Sequence, residues 1–570
     1  MQDLYSSASP RYSRKHRSSS LADKDLKTNT GTLPIACGSD GRETWGGGAF
    51  LIPYCIMLVV GGLPLFYMEL ALGQHYRSGC LTVWRRICPA LKGIGYAICI
   101  IDLYVGMHYN TIIGWAVYYL VASFQSELPW LKCNQTWNTE NCSTMDEMGR
   151  LNETNNTYLS TPAKEYYERE VLEMNKANGI DDIGPIKFSL AMCVLFVFIL
   201  VYFSLWKGVR STGKVVWFTA LAPYVILFIL LIRGITLPGA ADGISFYLTP
   251  KWEKLGEIKV WTDAAIQIFF SLGPGFGTLL ALASYNKFHN NCYRDAIVTS
   301  TVNCLTSFLA GFVVFSVLGY MANKQNKKID EMGIEGFGLV FIVYPEAIAT
   351  MPLSNFWSII FFIMLITLGL DSTFGGLEAV ITALCDEYPR ILGRHREVFV
   401  AGLLVFVFIC SLPTCTYGGT YLVTLMNIYG PGISTLFIVF LEAVGVSWFY
   451  GVERFERDIE RMIGKKPCMY WTCCWAIISP VFIFVLFVSS IVFNEDISTP
   501  AYTYPKWSIT VGLLLTSSSL VCIPLYIFYL YFITPGTFYQ RVQKMITPVE
   551  SSDVMVYNPT LTTANYGTTV

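Results

Sequence analysis

Charge is scarce in this 570-residue chain. Asp, Glu, Lys and Arg make up 14% of it and nearly cancel, for a formal net charge of −1. That balance gives no field to gather nucleic acid, and no nucleic-acid partner is expected. Only five histidines are present, and the polar loops hold no cluster suited to metal or nucleophilic catalysis, so an enzyme is not expected. The basic group Arg11, Arg14, Lys15 and Arg17 has no apolar stretch behind it, which excludes a signal peptide. The 17 cysteines lie mostly in apolar segments, where a thiol behaves as a small hydrophobe. In place of charge there are long hydrophobic runs: 53% of the residues are hydrophobic and 15% aromatic, too apolar for a soluble globular protein. The expectation is an all-α polytopic membrane protein lodged in a lipid bilayer.

Residues 1–45 are polar and Ser-rich and read as a disordered cytosolic tail. The membrane domain follows over 46–533, and 534–570 form a cytosolic C-terminal tail. Eleven spans are predicted, at 49–72, 94–124, 187–205, 213–233, 261–285, 295–321, 356–384, 398–416, 419–450, 471–493 and 507–533. Loops carrying Arg77, Arg85, Arg86 and Lys92, then Lys207, Arg210 and Lys214, then Lys287 and Arg294, then Arg390, Arg394 and Arg396, hold the basic excess that marks the cytosolic side. The loop 125–184 carries Asn-x-Ser/Thr sequons at Asn134, Asn141, Asn152 and Asn155 beside Cys133 and Cys142, a candidate disulfide; this marks a glycosylated extracellular loop. An odd number of spans conflicts with that assignment. With 125–184 outside, the span at 49–72 starts outside, and the basic tail before it would have to cross the membrane. A segment is expected to be missing before Gly46. The last residues, Thr568-Thr569-Val570, have the form of a PDZ-domain ligand.

One span differs from the rest. Residues 261–286, WTDAAIQIFFSLGPGFGTLLALASYN, are interrupted by Ser271-Leu272-Gly273-Pro274-Gly275. Proline has no amide proton and both glycines favour other backbone angles, so the helix must break at mid-membrane. Carbonyls and amides bared at that depth are tolerated only inside protein or around a cavity, where they serve as ligands for ions or small polar solutes. A second oddity is Leu370-Asp371-Ser372-Thr373, since an ionised Asp inside a span costs about 2.5–3.5 kcal/mol or more unless compensated. The Leu368 carbonyl, Asp371 carboxylate and Ser372 hydroxyl lie within one helical turn and suit a hard monovalent cation. On the second span, Asp102, Val105, Gly106 and Tyr109 share one helix face.

The runs GGGAFLIPY, GGLPLFYMELALGQ, FSLGPGFG, ASYNKF, LGLDSTF and SWFYG together resemble the neurotransmitter sodium symporters, from about Arg42 to Pro548. The resemblance implies an inverted-repeat sodium symporter fold of twelve spans with two broken helices at the binding site. It also implies a plasma-membrane carrier, with no enzyme cofactor, that couples sodium and chloride to uptake of a monoamine, serotonin being the expected substrate, with a homo-oligomer as a further expectation.

In that family RETW is followed by a complete first helix, and only then by GGGAFL; here Trp45 abuts Gly46. A skipped exon or a faulty gene model would account for the gap and for the odd span count. By the same resemblance, Ser271 and Asn303 bind a first sodium, and Leu368, Asp371 and Ser372 a second. Tyr54, Gln267, Ser271, Asn303 and Ser307 hold chloride through uncharged donors. Asp102, Val105, Gly106, Tyr109, Phe270, Phe276, Ser372 and Thr373 line the substrate pocket, whose aromatic walls suit a protonated indole amine. Arg42 and Asp386 form an inner gate, Asn427 stands near the outer one, and Glu69 is a buried hydrogen-bonding acid. The absent helix supplies, in the family, the acid that pairs with the amine and shared sodium contacts. Transport by this chain is therefore doubtful, and the alternative is a non-transporting isoform that binds full-length subunits and retains them in the endoplasmic reticulum.

Overall fold

The computed structural model describes residues 48–144, 160–325, 329, 337–492, 498–499 and 502–549. Among these, ten helices are long and apolar enough to cross a membrane. The membrane helices are α1 (Gly48–Tyr76), α2 (Pro89–Ala122), α3 (Phe188–Leu205), α4 (Val209–Ile235), the pair α5 (Ile258–Leu272) and α6 (Thr278–Ala283), then α7 (Cys292–Gln325), α8 (Ser354–Glu387) and α9 (Arg396–Cys415). Helices α10 (Gly419–Tyr429), α11 (Gly432–Val444), α12 (Met469–Val492) and α13 (Lys506–Ile533) complete the set. The ten count Gly419–Ile463, which contains α10 and α11, as one span, and α5 and α6 form a shorter interrupted apolar segment beside them. The predicted single span at 419–450 is divided between α10 and α11 at Gly430-Pro431, because proline cannot continue the hydrogen-bond ladder.

Helix α1 lies along both halves of the broken crossing. A Cβ on Gly62 would sit 2.4 Å from Ile268 of α5, and one on Gly73 would sit 2.5 Å from the Leu280 carbonyl of α6. Only backbone fits at these two places. Trp475 of α12 donates to the Pro64 carbonyl at 2.8 Å and closes the other side of α1. Helix α2 runs against α8, with Ile113 filling the space over Gly369. A cluster of buried aromatics, among them Tyr119, Trp130, Phe341 and Phe362, ties α2 and α8 to the outer loops; the Tyr119 and Phe362 rings stack at 4.9 Å.

The Cys133 and Cys142 sulfurs are bonded in the loop between α2 and α3. Nearby, Glu165 accepts from Asn138 Nδ2 at 3.1 Å and from the Thr139 amide at 2.9 Å, so that this loop is held by polar contacts as well. Large apolar side chains on α12 and α13, such as Val485, Leu514, Leu525 and Phe528, stay exposed, as expected of a surface that meets lipid.

Candidate functional site

The break is built from one local sequence. Helix α5 stops at Leu272, where Gly273 takes φ +74° and sends its amide back to the Phe269 carbonyl at 2.9 Å. Gly275 and Gly277 follow with φ +82° and +65°, and α6 starts only at Thr278. Left-handed backbone of this kind costs a residue with a Cβ about 1–2 kcal/mol, which is why glycine occupies these positions. The turn would leave the Gly275 amide unsatisfied, and Glu69 of α1 accepts from it at 2.6 Å. Glu69 is 1% exposed, so this contact lies in a fully buried place, and it joins α1 to the mid-membrane turn.

Just before the break, Ser271 meets α7. Asn303 Nδ2 donates to the Ser271 carbonyl at 3.1 Å and to its hydroxyl at 2.8 Å. That orientation leaves Asn303 Oδ1 buried without a hydrogen-bond partner, and Ser307 Oγ, one turn further along α7, is in the same condition. The Tyr54 hydroxyl of α1 is in contact with Ser307, Ser271 and Cys304. Tyr54, Ser271, Asn303 and Ser307 are thereby brought together, with Gln267 one helical turn before Ser271 on α5. An orphaned amide oxygen fits a cation, and orphaned or shared hydroxyls fit an anion, so the donor set suits both ions expected here.

Phe270 and Phe276 face each other across the break with ring centroids 5.8 Å apart. On α8, Thr373 donates to Asn110 Oδ1 at 3.1 Å, and Asn110 Nδ2 donates to the Gly106 carbonyl at 2.7 Å. Val105, Gly106 and Tyr109 of α2 are thus set against Ser372 and Thr373 of α8 by a buried hydrogen-bonded link. Asp102 is 3% exposed, and its Oδ2 has no partner. Its other oxygen lies 3.9 Å from where Gly376 would carry a Cβ. Asp102 sits one turn before Val105 and Gly106 on α2.

Asp371 of α8 is 7% exposed, and its Oδ1 accepts from the Thr219 hydroxyl of α4. Leu368 and Ser372 flank it on the same helix, both half-buried. At the C-terminal end of α8, Asp386 accepts from the Gly79 amide at 2.9 Å; Arg42, its expected partner, lies outside the described residues, as do Asn152, Asn155 and the C-terminal tripeptide. Asn134 and Asn141 are exposed in the loop between α2 and α3.

Several polar groups of this region went unnoticed in the sequence. Glu442 of α11 is 0% exposed and sits beside Glu69; a lone acid inside an apolar span was the signal that could have found it. His108, between the two named pocket positions Gly106 and Tyr109, takes the Tyr104 carbonyl at 2.8 Å and contacts Asn427 of α10. Thr219 and Asn110 carried no signal, since threonine and asparagine occur in many spans and only their partners give them a role.

A multi-pass helical protein whose buried polar groups gather round one interrupted helix is a membrane carrier in architecture. The model of the sodium:neurotransmitter symporter family matches residues 34–534, and the chain belongs to that family. It is a transporter by family and not an enzyme. The chain is 64% identical over 530 residues to a sodium-dependent serotonin transporter of Drosophila melanogaster, covering 93% of this chain and 83% of that one. It is also 51% identical over 520 residues to the sodium-dependent dopamine transporter of Bos taurus, covering 91% and 74% of the two chains.

Proposed function

We propose that this protein is a sodium- and chloride-coupled monoamine symporter of the serotonin type whose uptake, in this chain, is disabled by the absence of a first helix. The observation that carries the reading is the set of buried ligands at the break: Asn303 Oδ1 and Ser307 Oγ unpartnered beside Ser271 and Tyr54. Asp371 with Leu368 and Ser372 forms the second sodium site, and Tyr54, Gln267, Ser271, Asn303 and Ser307 hold chloride. The amine stacks among Phe270, Phe276 and Tyr109 over Val105, Gly106 and Thr373. Coupling requires that ion and substrate favour the same conformation, which shared contacts provide.

The pocket described so far has one acid, Asp102, and in this reading it lends negative potential from below without contacting the amine. Asp102 Oδ2 and both side-chain polar atoms of Asn286 are buried and unpartnered, as expected of surfaces from which a polar-faced helix has been removed. The same observation favours the second reading, a non-transporting isoform that pairs with full-length subunits and remains in the endoplasmic reticulum.

The test is sodium-dependent uptake of labelled serotonin by cells expressing this chain, with surface biotinylation and a version carrying a restored first helix. No uptake here and recovery in the restored version is the expected result, and Asp102→Ala in the restored version should weaken amine binding severalfold. Uptake by the unrestored chain would overturn the account of coupling. A restored chain at the surface that moves dopamine but not serotonin would overturn the substrate.

A further inference from the structure

The structure assigns to Thr219 of α4 the role of a positioning residue for the sodium-site carboxylate Asp371; this rests on the reading of Asp371, Leu368 and Ser372 as a sodium site. A hydroxyl has one proton to give. In apolar helices it usually goes to the carbonyl one turn back, and that is what several membrane hydroxyls of this protein do: Ser204 donates to Leu200 at 2.8 Å, Thr367 to Ile363 at 2.9 Å and Thr424 to Thr420 at 2.9 Å. Thr219 donates across the helix interface to Asp371 Oδ1. Both groups are buried, with 3% and 7% of their surface exposed.

The consequence is geometric. The ligands offered by α8 all come from one turn of one helix, and of these the Ser372 hydroxyl and, with one torsion more, the carboxylate must settle side-chain torsions before they can face an ion. A cation of this size holds its oxygens at about 2.3–2.6 Å, so a carboxylate turned away contributes little. A donor from a second helix fixes the carboxylate plane in advance, and the β-branch of threonine holds the hydroxyl in one direction. Sodium affinity thereby depends on α4 staying packed against α8, although α4 itself is not among the sodium ligands assigned from the sequence.

The experiment measures the melting temperature of the purified full chain in nanodiscs against sodium concentration, with lithium and choline at equal ionic strength as controls. A sodium-specific rise is expected in the parent protein and should be lost in Asp371→Asn. Thr219→Val should raise the half-saturating sodium concentration about tenfold, the size expected for one hydrogen bond to a charged group. Thr219→Ser, which keeps the donor, should stay within about twofold of the parent. A Val variant that matches the parent while Asp371→Asn is silent overturns this inference and leaves the sodium site standing. A Ser variant as impaired as Val also overturns it, because the methyl group and not the hydroxyl would then matter. An unchanged sodium response in Asp371→Asn, or none in the parent, overturns the site reading and this inference with it. Should the Val variant fail to fold, Thr219→Ala is judged by the same criterion.

Discussion

At the scale of single residues, the polar groups of this protein divide by whether a partner is built in. Glu69, Thr219 and Asn110 each have a specific protein partner, whereas Asn303 Oδ1, Ser307 Oγ and Asp102 Oδ2 do not. Outside the spans the same contrast appears at Glu346, on the short helix Tyr344–Ala349 between α7 and α8. Burial raises its carboxyl from the usual 4.5 to about 8, with a hydrogen bond from Thr161 opposing the change. The folded state then holds a proton that the unfolded state has lost, so stability is unaffected below about pH 4.5, falls as pH rises, and levels off above about 8. Glu346→Gln should leave the melting temperature unchanged at pH 5 and raise it relative to the parent at pH 8.5. The ceiling is roughly 1.4 kcal/mol for each pH unit between the two values. Parallel melting curves for parent and variant across that range would refute the burial argument.

At the scale of elements, the mid-membrane turn depends on α1 and α11 as much as on its own glycines. Gly275 has φ +82°, and a Cβ there would lie 2.4 Å from Val439 Cγ2 of α11. Gly275→Ala therefore combines left-handed strain with overpacking and should cost about 2–4 kcal/mol. Glu69→Ala leaves the Gly275 amide buried without an acceptor and should cost about 1–3 kcal/mol. Thermal melting of the purified variants checks both, and a Gly275→Ala protein as stable as the parent would mean that the turn is not held as described. Glu69 also shows why a buried acid can be structural: its oxygen replaces the carbonyl that a continuous helix would have offered.

At the scale of the whole molecule, sidedness is set by where charges and sugar acceptors fall. Asn134 and Thr136 are exposed beside the Cys133–Cys142 bond, while Ser143 of the Asn141 sequon is buried. Asn134 should therefore carry glycan more fully than Asn141, and Asn134→Gln should remove a discrete mass step on enzymatic deglycosylation; equal occupancy of both would contradict this. Complex glycans would mark a chain that reaches the plasma membrane, and high-mannose glycans one that is retained.

The amino-acid sequence alone determined that this is a multi-pass helical membrane protein, where the spans run and where one of them breaks. Those properties follow from local chemistry: apolar length, the missing amide proton of Pro274 and the backbone freedom of Gly273 and Gly275. Asp371 was legible as well, because an acid within a span is conspicuous. Only the tertiary structure decided which neighbours these groups meet. Glu69 reaches Gly275 across 206 residues, Thr219 reaches Asp371 across 152 and Asn110 reaches Thr373 across 263. Such partners are chosen by how helices pack, and an ordinary threonine or asparagine in a span carries no local mark of the group it will face.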